Sequence, residues 1–139
     1  MQEPQGGYLA AHGERVANNG FAVVPILRGK KFPGFDGWQN SRGDATDVRR
    51  WVKEGKGRYG IGLLTRVTPA IDIDCLDPDA AQHFVTWVEE HIDFAPTRVG
   101  LAPKTLLLFR CDTPFRKIAS SERRDSQGRK QQIEILGDG

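Results

Sequence analysis

Hydrophobic positions along this chain alternate between a helical and a strand period, and the changes of period mark out the elements. Tyr8 to Asn19 carries Leu9, Val16 and Ala17 at helical spacing, with Gly20 as a left-handed stop. Gly13, inside that stretch, weakens the helical pattern. Phe21 to Pro25 (FAVVP) is a short β-branched strand ended by its proline. A loop rich in glycine, lysine and aromatic residues follows, from Arg28 to Trp38. Asp44 or Thr46 can cap a second helix through Glu54, whose inward stripe is Val48, Trp51 and Val52 and whose stop is Gly55. Tyr59 to Thr65 (YGIGLLT) and Ala70 to Cys75 (AIDIDC) read as strands. Asp77-Pro78 then opens a third helix, with a cap residue ahead of a proline at the first helical position. Ala81, Phe84, Val85, Val88 and Ile92 form its apolar face, and the helix ends near His91. His83 and His91 fall off that face and point to solvent.

The remainder returns to strands. Thr97 to Gly100, Thr105 to Arg110 (TLLLFR) and Phe115 to Ala119 are followed by the turn Asp125-Ser126-Gln127-Gly128, across which Lys130 to Leu136 (KQQIEIL) pairs back. This order predicts a single α+β domain over residues 1–139, a mixed or antiparallel sheet packed with helices.

Composition narrows the class. The 139 residues are 38% hydrophobic and 27% charged, which suits a globular chain with its own core. No run approaches the ~20 apolar residues of a membrane span, and the N-terminus lacks the apolar segment of a signal peptide, so a cytoplasmic protein is expected. Cys75 and Cys111 form no CxxC pair, which argues against structural zinc or a disulfide framework; both are expected to be buried thiols. Net charge is only +2, yet from Arg98 to Lys130 nine basic residues face three acids. A basic C-terminal third suits a polyanion, although a solvated hairpin has the same composition.

The candidate chemistry lies in Ala70-Ile71-Asp72-Ile73-Asp74. Alternation along a strand sends Ile71, Ile73 and Cys75 to the core and Asp72 and Asp74 together to the other face, their Cα atoms about 6.6 Å apart. Two acids so close repel unless a cation lies between them, and a hard divalent ion such as Mg²⁺ or Mn²⁺ is the usual one. The same pattern also fits the solvated face of an edge strand. Glu134, alone between Ile133 and Ile135, would join them if its strand were adjacent. Three carboxylates of this kind hold two metal ions in phosphoryl-transfer sites. Lys104, at the start of TLLLFR, is placed to meet a triphosphate. Lys30 and Lys31 form no Walker P-loop but can reach phosphates, as can Arg123, Arg124, Arg129 and Lys130 of the basic hairpin.

The succession GFAVVP, GKKFPGFDGW, DVRRWV, GIGL, AIDID, APKTLLLFR and IEILGDG resembles the N-terminal domain of bifunctional primase-polymerases, within the archaeo-eukaryotic primase superfamily. The resemblance runs from about Gly20 to Gly139. It implies an RRM-like catalytic core in which Asp72, Asp74 and Glu134 are catalytic and hold two Mg²⁺ or Mn²⁺ ions. It also implies nucleotidyl transfer from NTP or dNTP on a single-stranded DNA template, beside a replicative helicase, in replication of a plasmid, phage or integrated element. Two departures stand out. The superfamily's second motif carries a histidine that contacts the incoming nucleotide, and none occurs near Pro103-Lys104-Thr105. Lys104 is expected to substitute, with Arg98 assisting and Arg110 as a further nucleotide-binding candidate. Family members also continue past the final GDG, so the domain is expected to be C-terminally incomplete. Two other readings use the same residues: a non-catalytic RRM-like nucleic-acid-binding domain, and a two-metal nuclease.

Overall fold

A computed structural model describes residues 2–138, which fall into two compact units divided between Leu64 and Thr65. In the first unit, helix α1 (Tyr8–Asn18) and helix α2 (Ala45–Trp51) pack on a two-stranded antiparallel sheet, β1 (Ala22–Ile26) with β2 (Gly60–Leu64). Leu9, Val23, Val48 and Trp51 form its core, and Phe35, Ile61 and Leu63 close around them. Gly13 belongs to this packing rather than weakening the helix. A Cβ there would stand 2.8 Å from Val48 Cγ1 and 3.0 Å from Leu9 Cδ1, so its absence lets the two helices approach. β1 runs one residue past Pro25. A strand with a single partner has one side on which the missing N–H costs no ladder bond, so the proline is buried within the strand instead of ending it. Asp44, not Thr46, caps α2, its side chain accepting from Asp47 N at 2.9 Å. The helix then widens over Val52–Lys56 until Gly55, with φ +89°, breaks it.

The second unit is an antiparallel sheet covered on one face by helix α3 (Pro78–His91). Its strands are β3 (Ala70–Cys75), β4 (Thr97–Arg98), β5 (Thr105–Leu108), β6 (Ile118–Ala119), β7 (Arg123–Arg124) and β8 (Lys130–Leu136). They lie in the order β4-β5-β3-β8-β6, with β7 also on β8, and one isolated parallel bridge joins Arg116 to Asp138. The architecture is α+β. Ile71, Ile73, Cys75 and Leu107 from the sheet meet Ala81 and Val88 from α3, with Phe84 and Val85 at the margin. Asp77 caps the helix as its sequence requires, accepting from Ala80 N at 2.8 Å.

Several expected elements are shorter in the structure. β5 ends at Leu108, opposite Ala70 where its partner β3 begins, and β6 pairs with β8 only over Ile118–Ala119. Ile92 is 53% exposed, since α3 ends at His91 and carries it off the apolar stripe. Cys75 is buried, but Cys111 is only half-buried and donates to Thr113 O. Both histidines of α3 are exposed, and His91 stacks on Trp87. Among the described residues no helix is long and apolar enough to cross a membrane.

Candidate active site

β3 occupies the middle of the sheet, so its helix-facing side must be apolar and its polar residues must share the opposite face. In an antiparallel ladder, residues directly opposite one another project to the same side. The register sets Asp72 against Glu134 of β8 and against Leu106 of β5, and sets Arg98 of β4 against Leu106. On the far edge Ala119 of β6 faces Glu134. Arg98, Leu106, Asp72, Glu134 and Ala119 thus form one transverse row across five strands. Asp74 lies two residues along β3 from Asp72, opposite Gln132. The three acids named from the sequence therefore emerge on the face that α3 leaves open, although Asp74 and Glu134 are 60 residues apart in the chain.

Lysines reach this face from the neighbouring strands. Lys104 Nζ lies 2.5 Å from Asp74 Oδ1, and Lys130 Nζ lies 3.1 Å from Oδ2. Both follow from the ladder: Lys104 precedes Thr105, the partner of Ile73, and Lys130 is the diagonal neighbour of Asp74 on β8. Lys117 Nζ lies 2.7 Å from Glu134 Oε1. No sequence motif announces Lys117. Its signal is only parity, since it stands two residues before Ala119, the partner of Glu134, and that partnership exists only in the folded sheet.

The electrostatics separate the two aspartates. The ammonium of Lys104, followed by that of Lys130, holds Asp74 below the usual carboxylate range against the opposing cost of burial. Asp72 moves the other way: burial first, then the carboxylates of Asp74 and Glu134, push it up, and Lys104 and Arg98 only partly offset them. Lys130 is in turn raised by Asp74.

A divalent metal can be weighed against this geometry. The donors are all carboxylate oxygens, the set that hard cations prefer, and they stand on adjacent positions of two paired strands. Asp74 Oδ1 is buried and accepts no aligned hydrogen bond, its Lys104 contact being an ion pair without that directionality. It is the kind of oxygen that a metal satisfies. Among the described residues no three acidic, histidine or cysteine side chains are drawn together into a ready cage, because Lys104, Lys130 and Lys117 draw two of the acids toward themselves. The residues fit a metal in chemistry and register, provided these ammonium groups give way.

The other sequence candidates are placed unevenly. Arg110 lies beyond the end of β5, exposed and paired with Asp112 at 3.3 Å. Four residues separate it from Leu106, about 13 Å of extended chain. Arg123 and Arg124 form the exposed β7, with Arg124 held by Glu122 at 2.7 Å. Arg129 turns inward: its Nε lies 2.7 Å from Asp125 Oδ2, and its guanidinium also reaches Leu76 O and Asp77. That arginine ties the β7–β8 turn to the junction between β3 and α3. Lys30 and Lys31 are exposed on a loop of the first unit.

Comparison with known proteins agrees with this arrangement at the level of family. The family model described as bifunctional DNA primase/polymerase, N-terminal (Prim-Pol) matches residues 13–139. No curated protein is significantly similar in sequence. The match covers nearly the whole chain, from α1 through the acids of β3 and β8: the chain belongs to the Prim-Pol family of bifunctional DNA primase/polymerase N-terminal domains.

Proposed function

We propose that this domain performs metal-dependent, template-directed nucleotidyl transfer on single-stranded DNA, in cytoplasmic replication of a plasmid, phage or integrated element with a replicative helicase as partner. The family assigns primase/polymerase activity on DNA and nucleotides in general terms. The observation that carries the finer reading is the register that sets Asp72 opposite Glu134, with Asp74 on the same open face. These three residues would hold two Mg²⁺ or Mn²⁺ ions. When bound, such a pair supplies activation of the attacking hydroxyl and neutralises charge building on the phosphates.

The chain's own groups do the rest. Lys104, standing between Asp74 and the start of β5, turns its ammonium from carboxylate to triphosphate, a short move for a flexible side chain. Arg98, on the same row as Asp72, binds a further phosphate oxygen and holds the nucleotide against the sheet. Lys117 and Lys130 leave their carboxylates in the same exchange and keep the face neutral when no substrate is present. Arg123 and Arg124 present an exposed basic edge that follows the template backbone. With the lysines withdrawn, the three acids and the two phosphate-binding cations enclose the place where an α-phosphate meets the primer hydroxyl, and pyrophosphate leaves toward Lys104.

The test is incorporation of labelled nucleotide on a single-stranded template with Mg²⁺ or Mn²⁺ present. Asp72→Asn and Asp74→Asn should each lower it by more than the ~10–100-fold that loss of a ligand's supporting partner costs. Activity unchanged in either variant rejects the assignment. A second reading has its own support: the lysine pairs already neutralise Asp74 and Glu134, as they would in a non-catalytic DNA-binding sheet. That reading predicts salt-sensitive binding indifferent to chelator and no product, whereas a nuclease would give shortened strands.

A further inference from the structure

The first unit contains a cavity of about 330 Å³ bounded by the start of α1, the end of β1 and the chain entering β2. Its cations are Arg28, Lys30 and Arg58, and its lining holds a single carboxylate, Glu3. The end of the β1–β2 ladder brings two arginines to this lining. β1 and β2 pair from Ala22↔Leu64 to Ile26↔Gly60 and then part, with Leu27 N donating to Phe32 O and Tyr59 N to Lys56 O, so Arg28 and Arg58 both lie just beyond the end of the ladder. Cations that line one cavity repel one another, and an anion between them removes the penalty. Glu3 now answers part of this charge, its Oε2 2.8 Å from Arg28, but that pair is largely exposed and so weak.

Backbone hydrogen bonds brace the scaffold around the cations. Leu9 N donates to Tyr59 O and Ala10 N to Gly57 O, both at 3.1 Å, which fixes Tyr8 beside Arg58. Gly7, with φ +94°, lets the chains approach this closely, since a Cβ there would run into Arg58 Cα. A turn closed by Lys30 N to Leu27 O at 2.9 Å presents Lys30 on the other side. Tyr8, 37% exposed, and Leu27 add aromatic and apolar lining.

We propose that this cavity is a second nucleotide-binding site, distinct in its residues from the acids of β3 and β8. It takes one phosphate-bearing nucleotide, with the phosphate between Arg28, Arg58 and Lys30 and the base or sugar against Tyr8. The volume lies at the lower end of small-molecule sites and suits a single nucleotide unit. That unit comes either from a DNA strand or from a free nucleotide. The site uses no metal, so its success or failure is independent of the reaction assigned to the second unit.

The experiment is run on the whole chain in EDTA. Fluorescein-labelled dT8 is titrated by anisotropy at several salt concentrations, and dTTP by calorimetry. For Arg28→Gln/Arg58→Gln, dT8 affinity should fall about tenfold, and the log–log salt slope should decrease by about 0.7, the value for the one phosphate that the pair no longer neutralises. Weakened dTTP binding with unchanged dT8 would support the site and assign it to free nucleotide. Unchanged binding of both, with an unchanged melting curve, overturns it. Glu3→Gln removes the competing carboxylate and should tighten the bound probe about twofold or more; no tightening overturns the proposal even if the double variant fails to fold.

Discussion

Asp72 and Asp74 are two residues apart on one strand, yet the fold treats their charges in opposite ways. Asp74 is ionised more readily than a free aspartate because two lysines attend it. Its contribution to stability is present above the ordinary carboxylate range and is lost as pH falls through its depressed folded value. For Asp72 the raised value means that the folded state holds the proton more tightly than the unfolded chain. Its cost is therefore full at pH 7 and is relieved as pH drops through that raised value. Removing the charge should stabilise the metal-free protein. Asp72→Asn is expected to gain from a few tenths to about 1 kcal/mol at pH 7, since a like charge directly across the strands is removed. That gain amounts to about 1–5 °C in melting temperature. The gain should shrink toward pH 4.5, while Asp74→Asn should lose stability at pH 7. Thermal melts in EDTA at the two pH values check both signs, and an Asp72→Asn protein less stable than the parent at pH 7 would contradict the repulsion. A gain of this kind fits a site in which stability is given up for function.

At the scale of elements, the junction between β3 and α3 ties the acid strand to its support. Asp77 caps α3 through Ala80 N and lies 3.7 Å from Arg129, which itself holds the β7–β8 turn through Asp125. Asp77→Ala should cost about 1 kcal/mol, the usual value of a missing cap, read as a lower urea midpoint with an unchanged slope. The β7–β8 turn should persist, because Asp125 also accepts from the backbone of Gln127 and Arg129. α3 was readable in the chain because Asp77-Pro78 and the Ala81-to-Val88 stripe are local signals with local causes. The lengths of β5 and β6 were not. A strand lasts only as long as its pairing, β5 over the residues that face β3 and β6 over two residues of β8, and nothing in the residues from Phe115 to Lys117 encodes that limit.

Across the whole molecule, the exchange of lysines for metal has a thermodynamic signature. An ion that binds the folded chain raises its stability by about 2.7 kcal/mol at a hundred times its dissociation constant. Mn²⁺ should accordingly raise the melting temperature, and Asp72→Asn/Asp74→Asn should abolish the rise. Lys117→Met frees Glu134 from its ammonium and should increase the rise at a fixed, sub-saturating Mn²⁺ concentration. A smaller rise in that variant would show that Lys117 does not compete with the ion. The division into two units, between Leu64 and Thr65, carries no compositional mark, because each core is assembled from segments that look alike in sequence.

The sequence by itself determined the α+β class, the cap and stripe of α3, and the pairing of Asp72 with Asp74 on one strand face. These depend on local propensity and on the two-residue period of a strand, which neighbouring residues specify. Tertiary structure alone decided that Glu134 stands opposite Asp72, that Lys117 belongs to the same face, and that Arg129 faces inward while Arg110 lies off the row. The physical reason is that strand order and register are fixed by which apolar faces bury together. Those faces are Ile71 and Ile73 of β3, Leu107 of β5, and Ala81 and Val88 of α3, and distance along the chain carries no information about that choice.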